Sequence, residues 1–128
     1  QQNQINTATP ERLVAMLYDG GIRFLTLAEQ GFAEKKYDDI HNNLIKTQAI
    51  LAELMSGVDR TTGEIGENLF LLYDYMHQRL VEANLKKDPQ IVKEVKEMFI
   101  SFKETWQQAV QLVKGKPGSK KVENINER

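Results

Sequence analysis

The sequence predicts an all-α protein, an antiparallel up-down four-helix bundle. Four segments of about 20 residues place apolar side chains at alternating three- and four-residue steps, the spacing of a helix face packed on its neighbours. No segment sustains the apolar and polar alternation of a half-buried strand. The connections between the segments are short, so successive helices are expected to run antiparallel.

The composition limits the classes of function. A chain of 128 residues is long enough for one domain with its own core, expected at residues 9–114 between an extended arm (1–8) and a disordered tail (115–128). The absence of cysteine excludes thiol chemistry and fits the reducing cytoplasm. A formal charge of −1 offers no basic surface for nucleic acid, and no apolar run approaches the roughly 20 residues of a membrane span. We therefore expect a cytoplasmic protein without nucleic acid and without membrane insertion.

The first helix has a clear start. Thr9 is suited to accept a backbone N–H as N-cap, Pro10 to the first helical position, and Glu11 to the positive end of the helix dipole. The apolar pattern continues to about Lys35, where we expect the helix to end.

This first helix carries two apolar stripes. The stripe expected to face inward comprises Leu13, Leu17, Gly20, Phe24, Leu27 and Gly31. The second comprises Val14, Tyr18, Ile22, Leu25 and Phe32. Three interpretations of the second stripe stay open: contacts to both flanking helices, a homodimer face, or a groove for a foreign helix.

Two adjacent glycines interrupt the same helix. Gly20 and Gly21 each cost about 1 kcal/mol of helix stability relative to alanine. Close packing against a bulky residue such as Trp106, or the approach of another helix, would compensate for this cost.

The second helix has acidic residues in its first turn, Asp38 and Asp39, and a regular inward seam. That seam is Ile40, Leu44, Thr47, Leu51, Leu54 and Val58. Residues 59–63 have the composition of a turn.

The third helix is predicted from Glu64 to Leu85, and the fourth from Asp88 and Pro89 to about Lys114. The inward seam of the third is Ile65, Leu69, Leu72, Met76, Leu80 and Ala83, and its surplus apolar residues are Phe70, Leu71, Tyr73, Tyr75 and Val81. The seam of the fourth is Val92, Val95, Phe99, Phe102, Trp106, Ala109 and Val113.

Two acid and histidine pairs are candidate ligands of a metal ion. Asp38 with His41, and Asp74 with His77, repeat the acid-x-x-His spacing found in carboxylate metal sites of helical bundles. The aspartates are short, the histidines lie beside their seams, and the first helix has no carboxylate on its inward stripe. We therefore expect no metal, no cofactor, no catalytic residue and no enzymatic activity.

Several blocks of the sequence closely resemble the flagellin export chaperone family (FliS). The matching blocks are residues 6–11, 16–20, 43–50, 72–76, 79–80 and 82–84, together with Trp106. The resemblance implies a cytoplasmic four-helix bundle that binds the disordered C-terminal segment of flagellin. It further implies that binding prevents premature polymerisation and delivers flagellin to a component of the flagellar type III export gate, without catalysis or cofactor.

The surplus apolar residues and this resemblance together give a set of candidate flagellin-binding residues. Val14, Tyr18, Ile22 and Leu25 are expected to accept an amphipathic client helix, and Ile5 of the arm is expected to compete for an apolar groove. Tyr73, Tyr75 and Arg79 form a second candidate surface, and Asn43, Lys46 and Gln48 are candidate polar contacts. The chain is expected to be a monomer or weak homodimer; the alternative function is a dimeric helical adaptor or structural protein with no export role.

Overall fold

The computed structural model describes residues 8–115, and the predicted fold class is confirmed. Four helices make up almost all of this part: α1 Pro10–Glu34, α2 Tyr37–Ser56, α3 Glu64–Lys86 and α4 Pro89–Gly115. Residues 8–115 contain no strand. Most of the expected arm and all of the expected tail beyond Gly115 lie outside the described residues.

The predicted helix starts are confirmed where caps were assigned. The backbone N–H of Arg12 donates to Thr9 Oγ1 at 3.2 Å, and Pro10 occupies the first turn. At the start of α4, the N–H of Gln90 donates to Asp88 Oδ1 at 2.9 Å. Both side chains satisfy N–H groups that a helix start leaves without an internal partner.

The helices pack in the order that an up-down bundle requires. α1 packs against α2 and α4, and α3 packs against the same two helices. As the residue number in α1 rises, the number of its partner in α4 falls. The pairs are Glu11 with Trp106, Asp19 with Lys103, and Glu29 with Lys96. This progression is consistent with antiparallel neighbours.

The two ends of the bundle differ in their connections. At one end, called the closed end here, Lys35 and Lys36 join α1 to α2, and Lys87 and Asp88 join α3 to α4. Lys35 and Lys87 have φ values of 58° and 51°, so each two-residue turn passes through the left-handed region that ends many helices. At the other end, called the open end, residues 57–63 link α2 to α3, and α1 begins and α4 ends there.

The hydrophobic core lies mainly in the half of the bundle next to the closed end. Fully buried side chains in this half include Leu25, Ala28, Ile40, Leu44, Met76, Leu80, Ala83, Val92, Val95 and Phe99. The predicted seam of α2 is confirmed from Ile40 to Leu54, since Ile40, Leu44, Thr47, Leu51 and Leu54 are all buried. Val58, its last predicted member, lies beyond the end of the helix and is half-buried.

The predicted inward stripe of α1 is wrong except at Gly31. The buried residues of α1 are Tyr18, Gly21, Leu25, Ala28 and Gly31, while Leu13 is 43% and Leu27 38% exposed. Small residues decide which stripe turns inward, because they let neighbouring helices approach. A Cβ at Gly21 would lie 2.6 Å from the Phe99 ring, and one at Gly31 would lie 2.9 Å from Ile40.

Two further details differ from the sequence prediction. The bulky residue against Gly21 is Phe99, not Trp106. In α3, Tyr73 is buried, whereas Leu72 is 43% and Ile65 86% exposed, although both were expected on the inward seam. Ile65 is exposed because it belongs to the first turn of α3, at the open end, where the four helices do not close over it.

Candidate functional site: an apolar groove at the open end

An apolar groove occupies the open end of the bundle. Its volume is about 850 Å³, and all four helices and the α2–α3 link contribute to its lining. Leu13, Val14 and Leu17 come from α1, Ile65 and Leu69 from α3, and Phe102 and Trp106 from α4. The apolar faces of the helices, which pack on one another in the closed half, here line the groove with their side chains.

Aromatic side chains separate the groove from the core. The Tyr18 and Phe102 rings stack with centroids 6.0 Å apart, and Tyr73 lies 5.4 Å from Phe102. Tyr18 also meets the buried ring of Phe99 edge-on at 6.5 Å. These rings form the floor of the groove, because Tyr18, Tyr73 and Phe102 line it while Phe99 lies beneath them in the core.

The two tyrosine hydroxyls of the floor contact one another. The Tyr18 and Tyr73 oxygens are 2.5 Å apart, and each residue is only 3% exposed. Burial raises the pKa of Tyr18, partly offset by the hydrogen bond from Tyr73, and burial together with the Tyr18 hydroxyl raises the pKa of Tyr73. Both groups therefore stay protonated and neutral across the physiological pH range.

One wall of the groove is the link between α2 and α3, which is held tightly against α3. A Cβ at Gly66 would lie 2.3 Å from the backbone oxygen of Asp59, so only glycine permits this approach. The Arg60 guanidinium donates to both carboxylate oxygens of Glu67, at 2.7 and 2.8 Å, and lies 3.8 Å from the Phe70 ring centroid. The hydrogen bond from Arg60 is the main reason that the pKa of Glu67 is lowered.

The rim of the groove combines apolar and acidic groups. The indole N–H of Trp106 donates to the backbone oxygen of Glu11 at 2.9 Å and so joins the last part of α4 to the first turn of α1. The charged residues of the lining, within the described part of the chain, are Glu53 and Asp59, and neither Lys nor Arg is among them. The groove is thus suited to apolar and neutral groups and unsuited to anions.

A polar network lies outside the groove, between α3 and α4. The carboxylate of Glu94 accepts hydrogen bonds from the Tyr75 hydroxyl at 2.5 Å and from the Arg79 guanidinium at 2.7 and 3.1 Å. Arg79 also pairs with Glu82, which pairs with Lys86. The hydrogen bonds from Tyr75 and then Arg79 lower the pKa of Glu94.

The structure brings together part of the predicted binding set. Val14, Tyr18 and Tyr73 line the groove. Leu25 does not: it is fully buried in the core, and Ile22 packs half-buried against that core. Leu25 therefore offers no surface to a client helix in this structure, because the small-residue face of α1 turns Tyr18 and Leu25 inward.

The remaining candidates lie away from the groove. Tyr75 and Arg79 sit together in the network with Glu94. On α2, Asn43 donates to the backbone oxygen of Asp39, Lys46 Nζ lies 5.4 Å from the Phe24 ring centroid, and Gln48 is half-buried. Ile5 lies outside the described residues.

Several residues that were predicted to lie in the core line the groove instead. Leu13, Leu17, Leu69, Trp106 and Ala109 lie at the ends of predicted inward seams, and all line the groove. A seam pattern shows which side chains share a face but not whether the opposite face closes over them. The available signal was their position in the sequence, since each lies in the half of its helix next to the open end.

The acid-x-x-His pairs do not assemble into a metal centre. Within residues 8–115 no group of three or more His, Cys, Asp or Glu side chains is placed to hold a metal ion. The Nδ1 atom of His41 instead lies 2.8 Å from the side-chain nitrogen of Asn84. Among these same residues, no helix combines the length and apolar character needed to cross a membrane.

Comparison with known proteins agrees with this architecture. The family described as "Flagellar protein FliS" matches residues 1–113. The flagellar secretion chaperone FliS of Bacillus subtilis (strain 168) is 40% identical over 111 residues, which cover 87% of this chain and 83% of the relative. FliS of Salmonella typhimurium is 34% identical over 84% of this chain and 81% of its own, and FliSB of Pseudomonas aeruginosa is 32% identical over 80% and 82%. The chain therefore belongs to the FliS family of flagellar secretion chaperones, which are not enzymes.

Proposed function

We propose that this chaperone holds the C-terminal segment of flagellin in the open-end groove and delivers it, in the cytoplasm, to the flagellar type III export gate. The observation that carries the proposal is the groove itself, about 850 Å³ of mostly apolar lining open to solvent on a protein of this family. An open, mostly apolar groove of this volume is typical of a binding site.

The physical role of the groove follows from the nature of its client. A segment that is disordered when free loses conformational entropy on binding, and burial of apolar side chains offsets this loss at about 25 cal/mol per Å². While its apolar side chains are buried in the groove, the segment is withheld from contacts with other flagellin molecules. Premature polymerisation is thereby prevented until the export gate receives the subunit.

We propose that Ile5 competes with the client for the same groove. α1 begins at the groove, with Pro10 in the lining, so a short stretch of chain separates Ile5 from the apolar wall. Five residues of extended chain reach about 16 Å, which is enough to return to the groove.

A client longer than the groove would next meet the outer faces of the bundle. We propose the α3–α4 surface with Tyr75 and Arg79 as the second contact, because Tyr75 is 45% exposed and its hydroxyl and Arg79 are both fixed by Glu94. Ile22, Asn43, Lys46 and Gln48 complete the set of proposed contacts outside the groove, with no role in its lining.

Replacing Ile65 by serine tests the groove directly. Ile65 is 86% exposed, so Ile65→Ser removes apolar surface from the lining without opening the core. We expect the dissociation constant of a flagellin C-terminal peptide, measured by calorimetry, to rise about tenfold, the effect of losing about 1.5 kcal/mol of apolar burial.

The matched control is Leu85→Ser. Leu85 lies on the same helix, is 82% exposed and belongs to the closed end. Its replacement should leave the peptide affinity unchanged. Equal affinity for Ile65→Ser and the unmodified chain would refute the groove assignment, and an unmodified chain that binds no flagellin peptide would refute the function.

We propose that the chain is a monomer or a weak homodimer. A permanent dimer that covered the groove would compete with the client. Light scattering with and without the flagellin peptide distinguishes the two cases: a monomer that forms a one-to-one complex supports the proposal. A stable dimer unaffected by the peptide would favour a self-associating adaptor.

A further inference from the structure

We infer that the Tyr18 and Tyr73 hydroxyls form a hydrogen-bonding site in the groove floor that takes one neutral carbonyl oxygen of the bound client. The inference rests on the proposed function and names the chemistry that the groove selects. Most of the lining recognises apolar surface, whereas this pair adds a directional polar contact at a fixed position.

One hydroxyl hydrogen of the tyrosine pair has no acceptor among the described residues. Two hydroxyls carry two donor hydrogens, and their single contact of 2.5 Å uses one of them. Within residues 8–115 neither hydroxyl has another hydrogen-bond partner. The second hydrogen belongs to a residue that is only 3% exposed and lines the groove. A client that fills the groove displaces solvent from this point and must itself supply the acceptor, because an unsatisfied buried donor is costly.

The surroundings select a neutral acceptor. Burial keeps both hydroxyls protonated, so the donor persists at any physiological pH. The charged groups of the lining are Glu53 and Asp59, and no Lys or Arg of residues 8–115 joins them. A client carboxylate would therefore lose its hydration and meet two like charges, whereas the smaller desolvation cost of a neutral carbonyl oxygen is offset by the tyrosine hydrogen bond.

The acceptor also constrains the client's conformation. Carbonyl groups inside a helix already accept an N–H from four residues further on, so they do not freely serve a second donor. The oxygen must come from a non-helical stretch or a helix end of the client backbone, or from an Asn or Gln side chain. Both sources present the same amide carbonyl chemistry to the tyrosine pair.

The test is the double variant Tyr18→Phe with Tyr73→Phe. It removes both partners of a buried hydrogen bond and keeps the ring shapes, so the melting temperature should change little. The affinity for a flagellin C-terminal peptide should fall about three- to tenfold, the worth of one hydrogen bond. The single variant Tyr73→Phe keeps one donor and should lose less affinity than the double variant.

Tyr37→Phe is the matched control, because Tyr37 is 57% exposed at the closed end. It should bind the peptide as the unmodified chain does. Peptides that carry one backbone ester, or one Asn or Gln replaced by alanine, then locate the acceptor. One such change should weaken binding to the unmodified chain and have no effect on the double variant; an ester hit assigns the backbone, and an alanine hit assigns the side chain.

The outcomes separate this inference from the proposed function. Equal peptide affinity for the unmodified chain and the folded double variant overturns the inference and leaves the proposed function standing. Peptide changes that weaken binding to both proteins equally overturn it as well. Failure of the unmodified chain to bind the peptide overturns the proposed function, and the inference with it.

Discussion

At the scale of single residues, Gly21 fixes the rotation of α1. A Cβ there would lie between 2.6 and 2.9 Å from three atoms of the Phe99 ring, which is fully buried and cannot move aside. At Gly20 the nearest atom is the end of the Ile50 side chain, at 3.0 Å, and Ile50 is only half-buried. Two adjacent glycines therefore have different roles: one is required by packing, and the other is not.

Alanine substitution separates these roles. Gly21→Ala should lower the free energy of unfolding by about 1–2 kcal/mol, because the overpacking cost exceeds the gain in helix propensity. Gly20→Ala should be neutral or stabilising by up to about 1 kcal/mol, since the Ile50 terminus can shift. Urea unfolding measures both, and equal stability of the two variants would contradict the role given to Phe99.

Individual residues also show what the sequence could predict. Thr9 and Asp88 mark helix starts through local chemistry, and α2 has a single apolar seam, so both features were predictable. α1 has two apolar stripes, and periodicity alone does not select between them. The choice of the inward stripe depends on the contact between Gly21 and Phe99, which are distant in sequence.

The groove left a signal in the sequence, namely more apolar residues than one core needs. Its lining was nevertheless predicted to be core, because an apolar seam does not show whether a neighbouring helix covers it.

At the scale of elements, Glu94 joins α3 to α4. Its carboxylate holds both Tyr75 and Arg79, two of the proposed client contacts, and its side chain is about one-third exposed (35%). Because these hydrogen bonds lower the pKa of Glu94 below its ordinary value of 4.5, the folded state favours the ionised form. The resulting stabilisation is present above that ordinary value and is lost as the pH falls through the lowered pKa.

Glu94→Gln tests this contribution. We expect the melting temperature to fall by about 2 °C at pH 7, a small effect because the pair is partly exposed, and the difference from the unmodified chain to vanish once the pH falls below the lowered pKa of Glu94. Glu97→Gln, an exposed change on the same helix outside this network, should have no effect. A difference that persists unchanged into acid would show that the carboxylate charge is not responsible.

At the scale of the whole molecule, the two halves of the bundle differ in how completely their side chains are buried and in how their helices are connected. The closed half contains most of the fully buried side chains and both two-residue turns. The open half contains the groove, the longest link and the described termini of the chain. Most of the buried core thus lies at one end and the proposed binding surface at the other.

Amide hydrogen exchange should report this asymmetry. Exchange should be slowest in residues 21–34 and 41–47 and faster by about tenfold or more in residues 10–17 and 100–115, because the latter have fewer buried neighbours. Adding the flagellin peptide should slow exchange mainly in the second group. Uniform protection along α1 in the free protein would contradict the division into two halves.

The contact between Trp106 and Glu11 has a consequence for biosynthesis. These residues are 95 positions apart, and the groove lining extends to Ala109, close to the end of α4. Each two-residue turn, by contrast, joins helices that are consecutive in the chain and can pair locally. A growing chain can therefore form the α1–α2 pair while α4 is still being synthesised, yet it has no complete groove. If the groove is the client site, as proposed above, the chaperone can bind its client only after its last helix has left the ribosome.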